Sequence, residues 1–165
     1  MPESNPVEEV ELPLQVASNE YLERAVASGN VTAKGTLKWQ ALKLRDGEPG
    51  ASIIRQVIGD NRVKVTARDV KSRYCGLAES RAMELRDAGL GVVDRRRPGE
   101  YHGHAEIEFA TYPMPLEPYE PLEASEGNLK DVNYYRSCLK LFTYFPDSDP
   151  HSDTWGGPPL GASAE

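Results

Sequence analysis

Cysteine is almost missing from this chain: Cys75 and Cys138 are the two among 165 residues. Two thiols do not make a disulfide scaffold, and the expectation is a pair of reduced, half-buried thiols in a cytoplasmic protein. No apolar run approaches the roughly 18–20 residues that span a bilayer. The segment after Met1 is acidic and broken by proline, where a secretory leader would be basic. A soluble, intracellular protein with no membrane partner is therefore expected. The glycine-rich loop that cradles phosphate is also missing, since Gly156 and Gly157 lie in a tail flanked by proline. No serine or cysteine sits in a nucleophile motif, and Cys75 has no histidine near it in sequence. These gaps argue against an enzyme and against a bound cofactor.

Basic charge is in short supply as well. The chain carries 19 Lys and Arg against 26 Asp and Glu, a net charge of −7. Residues 1–49 have five basic and eight acidic side chains, residues 111–165 three and nine, and residues 50–110 eleven and nine. A protein-wide cationic footprint for nucleic acid is thus excluded. A local patch in the middle remains open, because phosphate contact depends on local Lys and Arg. Glycine and proline, 14 and 13 residues, fall mostly outside that middle stretch and point to loops and tails there.

What is present is periodicity. Residues 2–17 read as an extended arm in which Val10, Leu12 and Leu14 have strand spacing. Tyr21, Leu22, Ala25 and Val26 share a helical side over 20–28, with Ser18 or Asn19 as cap and Gly29 as stop. Over 36–45, Leu37, Ala41 and Leu44 fit a helical face and Leu37, Trp39 and Ala41 a strand face. The good helix formers there tip the expectation to a second short helix, and Asp46-Gly47-Glu48-Pro49-Gly50 breaks it. Ile53 with Val57 and Ile54 with Ile58 recur at i, i+4, which predicts a helix of about two turns before Gly59. Val63 and Val65 alternate with Arg62 and Lys64 as a short strand would. Thr66 and Asp69 approximate a capping box for a helix to Tyr74. Cys75-Gly76-Leu77 then reads as a turn with Gly76 left-handed, followed by a helix over 79–88 that buries Ala82 and Leu85 and closes at Gly89-Leu90. Val92 and Val93 begin a strand, Arg95-Arg96-Arg97-Pro98-Gly99 is its tip, and 104–109 returns with alternating polar and apolar residues.

That order, helix, Gly-hydrophobic turn, short helix, Gly-Leu and an Arg/Pro/Gly hairpin, resembles the winged helix-turn-helix superfamily from Thr66 to Tyr101. The spacing is closest to its MerR-type, excisionase-like branch, with related modules in regulators and phage terminase small subunits. The matching positions are Gly76, Leu77, Gly89, Leu90, Arg96 and Gly99. The chain departs from that branch at Met83 and Leu85, where an Arg and a Tyr are typical of the second helix. The resemblance implies an α+β fold, a winged helix-turn-helix core at 50–110 with extended N- and C-terminal arms. Residues 1–49 would form the first arm and its short helices. An acidic, proline-rich linker would follow at 111–127, then an amphipathic helix at 128–145, with a strand over 139–145 as the alternative for its end, and a flexible tail at 146–165.

On that reading the DNA-binding set is Arg62, Lys64, Arg68, Lys71, Arg73, Ser80, Arg81, Arg95, Arg96 and Arg97, because guanidinium groups fork onto phosphate or guanine edges. Glu79, Glu84 and Asp87 beside it work against phosphate. The partner implied is duplex DNA, for a regulatory, packaging or recombination accessory protein. The competing class is a protein-interaction module, an inhibitor or an assembly subunit. It would dock or self-associate through the N-terminal arm and the helix at 128–145. A third pattern, His102-x-His104-x-x-x-Glu108, has metal-ligand spacing on one strand face. It lacks the surrounding glycines and a further histidine on a strand, so an exposed polar face accounts for it and no metal is expected.

Overall fold

The computed structural model describes residues 12–42, 50–96, 103–108 and 132–161. Six strands form one antiparallel sheet: β1 (Tyr21–Ala27), β2 (Ala51–Arg55), β3 (Tyr74–Arg81), β4 (Gly91–Asp94), β5 (His104–Glu108) and β6 (Thr143–Pro146). Their order across the sheet is β4-β5-β2-β1-β3-β6. Among the described residues three short helices accompany them, α1 (Asp60–Val70), α2 (Ala82–Asp87) and α3 (Val132–Leu139).

Each face of the sheet carries its own core, because successive strand residues point to opposite sides. Leu22, Ile53 and Ile107 pack with Leu85 of α2 and with Tyr135 and Cys138 of α3. Ile54, Tyr74 and Leu77 pack with Val63 and Ala67 of α1 and with Leu160 near the end of the chain. A sheet covered on both sides has few strictly alternating strands, and that explains most departures from the sequence pattern.

The winged helix-turn-helix expectation is overturned by this sheet. Residues 20–28, expected to be helical, form β1, the strand paired on both edges by β2 and β3. Residues 53–58 are β2 and a 3-10 turn; Ile53 and Ile54 are buried on opposite faces while Val57 is 49% exposed, so the i, i+4 pairs never formed one face. The expected strand at 62–65 lies inside α1, where Val63 and Ala67 turn toward the sheet. Cys75-Gly76-Leu77 is the interior of β3 and not a turn, and Gly76 does not have positive φ. The second helix shrinks to α2. Of 128–145 the described residues, 132–145, form α3 and then enter β6, so the strand alternative for the end of that stretch is the one the fold adopts. Over 36–45 the described residues, 36–42, hold a 3-10 turn at Trp39–Ala41, preceded by an isolated antiparallel bridge of Leu37 with Val31.

Two expectations match the fold. The hairpin of β4 and β5 pairs Val92 with Ile107 and Val93 with Glu106; its tip from Arg97 to His102 lies outside the described residues. Gly89 has φ 92° and closes α2, where the N–H of Leu90 reaches the carbonyl of Leu85. Residues 147–161, which the sequence reading places in the flexible tail at 146–165, make the contacts with α1 and β3 described next. Among the described residues no helix is long and apolar enough to cross a membrane.

Candidate interaction groove

Helix α1 and the sheet enclose a groove occupied by residues 147–161. The helix begins after Gly59, whose φ of 101° turns the chain sharply. Asp60, Lys64 and Arg68 then recur every four residues and so line one side of the helix, beside the Val63–Ala67 stripe that faces the sheet. Burial of the neighbouring stripe fixes where these polar side chains point, and each meets the final segment.

Lys64 is fully buried and pairs with Asp147 at 2.8 Å. Its Nζ also donates to the carbonyls of Asp149 and Thr154, at 3.0 and 2.9 Å. The Tyr74 hydroxyl donates to the same Asp147 carboxylate at 2.7 Å. Burial alone would raise the Asp147 carboxyl, but the bonds from Lys64 and Tyr74 outweigh it and hold it below the ordinary carboxylate range. Burial, and then the bond to Asp147, push the Tyr74 phenol far up. Arg68 donates to the carbonyls of His151 and Ser152 and pairs with Asp153 at 2.6 Å.

Further along, recognition passes to acceptors. Asn61 Oδ1 receives the N–H of Trp155 at 2.8 Å, Asp60 receives that of Leu160 at 3.2 Å, and Glu79 receives that of Gly161 at 2.7 Å. The Leu160 side chain is fully buried among Ile54, Val63, Ala67, Tyr74 and Leu77. Burying it is worth about 1.5–3 kcal/mol relative to exposure. Gly161 lies on the Tyr21 ring, where a Cβ would come 2.1 Å from Cγ. That ring is backed by the Arg81 guanidinium 4.8 Å from its centroid.

Glu23 lies on the same face, opposite Glu79 in the β1–β3 register and fully buried. Neither of its carboxyl oxygens receives a hydrogen bond. The bond open to it is therefore one it donates, from its own proton to the Glu79 carboxylate. Burial, then that bond and the negative charges of Glu79 and Asp60, raise its pKa well above the ordinary value.

The cations singled out from sequence meet different fates. Lys64 and Arg68 hold the final segment, and Arg81 stacks on Tyr21. Arg95 pairs with Glu106 and Glu108, while Arg96 donates to Asp94 and to the carbonyl of Pro13. Arg62 and Lys71 are half-buried on or beside α1, and Arg73 is exposed with φ 58°. Ser80 is buried on the other face, its hydroxyl without a partner. Arg97 lies outside the described residues. The set is therefore not one surface: part of it faces the groove and part the hairpin. Of the metal candidates, His104 sits on β5 with Nδ1 3.2 Å from the carbonyl of Arg95 and Nε2 3.4 Å from Ser52 Oγ, Glu108 is taken by Arg95, and His102 lies outside the described residues. Among the described residues no group of three His, Cys, Asp or Glu side chains is placed to hold a metal ion.

Sequence reasoning missed Asp60, Asn61, Glu79, Tyr21, Leu160 and Gly161. The four-residue spacing of Asp60, Lys64 and Arg68 marks a polar helix stripe once α1 is recognised as a helix. The apolar Leu160, alone after two prolines in a polar tail, marks its anchor.

No protein-family model matches the sequence. No solved structure matches the chain.

Proposed function

We propose that the protein is a protein-interaction module whose working surface is the groove between α1 and the sheet, closed in this state by residues 147–161. One observation carries the reading: the groove holds its occupant chiefly by main-chain atoms. Lys64 and Arg68 take four carbonyls, and Asn61, Asp60 and Glu79 take three N–H groups. Contacts to main-chain atoms tolerate many sequences, as they do where an extended peptide is added to a sheet edge, with side-chain pockets supplying selectivity. The cations that would serve nucleic acid are instead largely engaged within the chain, which favours a protein partner over a polyanion.

The test is a titration of the full-length chain carrying Leu160→Asp, which removes the apolar anchor and leaves Lys64, Arg68 and Asp147 in place. A labelled peptide with the sequence of residues 147–165 is expected to bind it saturably and to be displaced by unlabelled peptide. A natively folded variant that takes up no peptide removes the reading.

A further inference from the structure

Building on the groove reading above, we infer that the groove selects a linear protein segment bearing Leu followed directly by Gly, in competition with its own Leu160-Gly161. Each requirement comes from a separate feature. The buried cluster around Leu160 admits a branched aliphatic side chain and no charge. The next position admits no side chain at all, because a Cβ on Gly161 would lie 2.1, 2.4 and 2.5 Å from Tyr21 Cγ, Cδ1 and Cβ. Tyr21 has little freedom to retreat, since it is part of the central strand β1 and Arg81 backs its ring. Both positions must also offer an N–H, to Asp60 and Glu79, which excludes proline at either.

Charge divides the groove into two halves. Toward residues 147–154 it is cationic through Lys64 and Arg68, and the segment there carries Asp147, Asp149 and Asp153. Toward residues 160–161 it is acidic through Asp60 and Glu79, and the segment there is uncharged. A fitting partner therefore runs acidic first and apolar second, with Leu-Gly at the apolar end. Carboxylates accepting the two N–H groups make charge-assisted bonds, stronger than those between neutral groups, so this end of the groove contributes selectivity as well as grip.

The experiment has two arms. In the first, the full-length Leu160→Asp protein is titrated with the 147–165 peptide and with the same peptide carrying Gly161→Ala, Leu160→Ala or Pro158→Ala. Gly161→Ala and Leu160→Ala are expected to weaken binding by at least about tenfold, the size of a lost buried contact, and Pro158→Ala by less than about twofold. Equal affinity for the parent and Gly161→Ala peptides would overturn the Leu-Gly selection while leaving the groove reading intact. Binding of none of the four would remove both. The second arm needs no vacated groove: amide hydrogen exchange is followed in the full chain. Leu160 and Gly161 amides are expected to be protected in the parent and in Pro158→Ala and to lose protection in Gly161→Ala. Unchanged protection in Gly161→Ala would overturn the inference.

Discussion

Glu23 shows how much a single residue can set. It sits in the central strand, fully buried, with Glu79 opposite and Asp60 close by on α1. Ionising it would place a second negative charge against Glu79 with no cation among the described residues paired to either, so the fold favours its protonated form. A carboxyl whose folded pKa lies above its unfolded value contributes stability that is complete below that unfolded value, near 4.5, and lost as pH rises through the folded one. The parent should therefore become less stable on going from pH 5 to pH 8, by up to about 1.4 kcal/mol per pH unit within the titrating window. Glu23→Gln keeps the shape and offers amide N–H groups to Glu79, so its urea midpoint should vary less over the same range. A parent and variant with parallel pH profiles would show that Glu23 does not hold the proton. Asp147 works in the opposite sense. Its folded pKa is depressed, so its contribution is present above about pH 4 and lost on acidification below it. Cys138 adds nothing in this range, since burial pushes its thiol up to about 12.

At the scale of elements, the attachment of β6 and of the segment after it depends on two close fits. Gly76 in β3 lies opposite Pro146, and a Cβ there would come 2.5 Å from the carbonyl oxygen of Phe145. Gly76 is thus required by the close approach of another backbone and not by a turn. Gly76→Val should cost about 1–3 kcal/mol through overpacking and release protection of the β6 amides before those of β1, as read by hydrogen exchange. The second fit is the Lys64–Asp147 pair. Asp147→Asn leaves a buried ammonium without its counter-charge and should cost about 3–5 kcal/mol, whereas Lys64→Met with Asp147→Leu should recover most of that loss. A double variant no more stable than either single one in chemical denaturation would contradict this account. The same elements explain what could be read from sequence. The β4–β5 hairpin was legible because Ala105 and Ile107 are buried while His104, Glu106 and Glu108 are half-buried and polar, so alternation survives. β1 and β2 were not, because residues on both their faces are buried, including Glu23 and Arg55. α1 reads as a strand locally because Val63, Val65 and Thr66 are β-branched. Its helical state follows from packing against the sheet and from the partners of Lys64, which lie more than 80 residues away. The charges of the candidate groove were visible, but the segment that neutralises them leaves no local trace.

Across the whole molecule the two charge signs are arranged to meet internally. Arg55 is buried with both ends occupied: Nε and Nη2 donate to Glu20 and Nη1 to Asp94 and to the carbonyl of Pro13. This ties residues 13–20 to β2 and β4 on the face away from α1. Lys64 and Arg68 do the equivalent for residues 147–154 on the other face, and Arg95 and Arg96 are paired within the hairpin. Lys64, Arg68, Arg95 and Arg96 are thereby taken up within a chain whose net charge is −7. Binding to duplex DNA releases counterions, so log K falls with log salt by about 0.9 for each phosphate neutralised. A fluorescence-anisotropy titration with mixed-sequence duplex at two salt concentrations should give no saturable binding at physiological salt and a slope near zero. Arg68→Ala should leave that result unchanged while loosening residues 151–153, because the Arg68 bonds go to that segment. Saturable binding that weakens steeply with salt would place phosphate on the exposed cations such as Arg73 and return the function to nucleic acid. The peptide and DNA titrations on one protein sample thus separate the two partner classes.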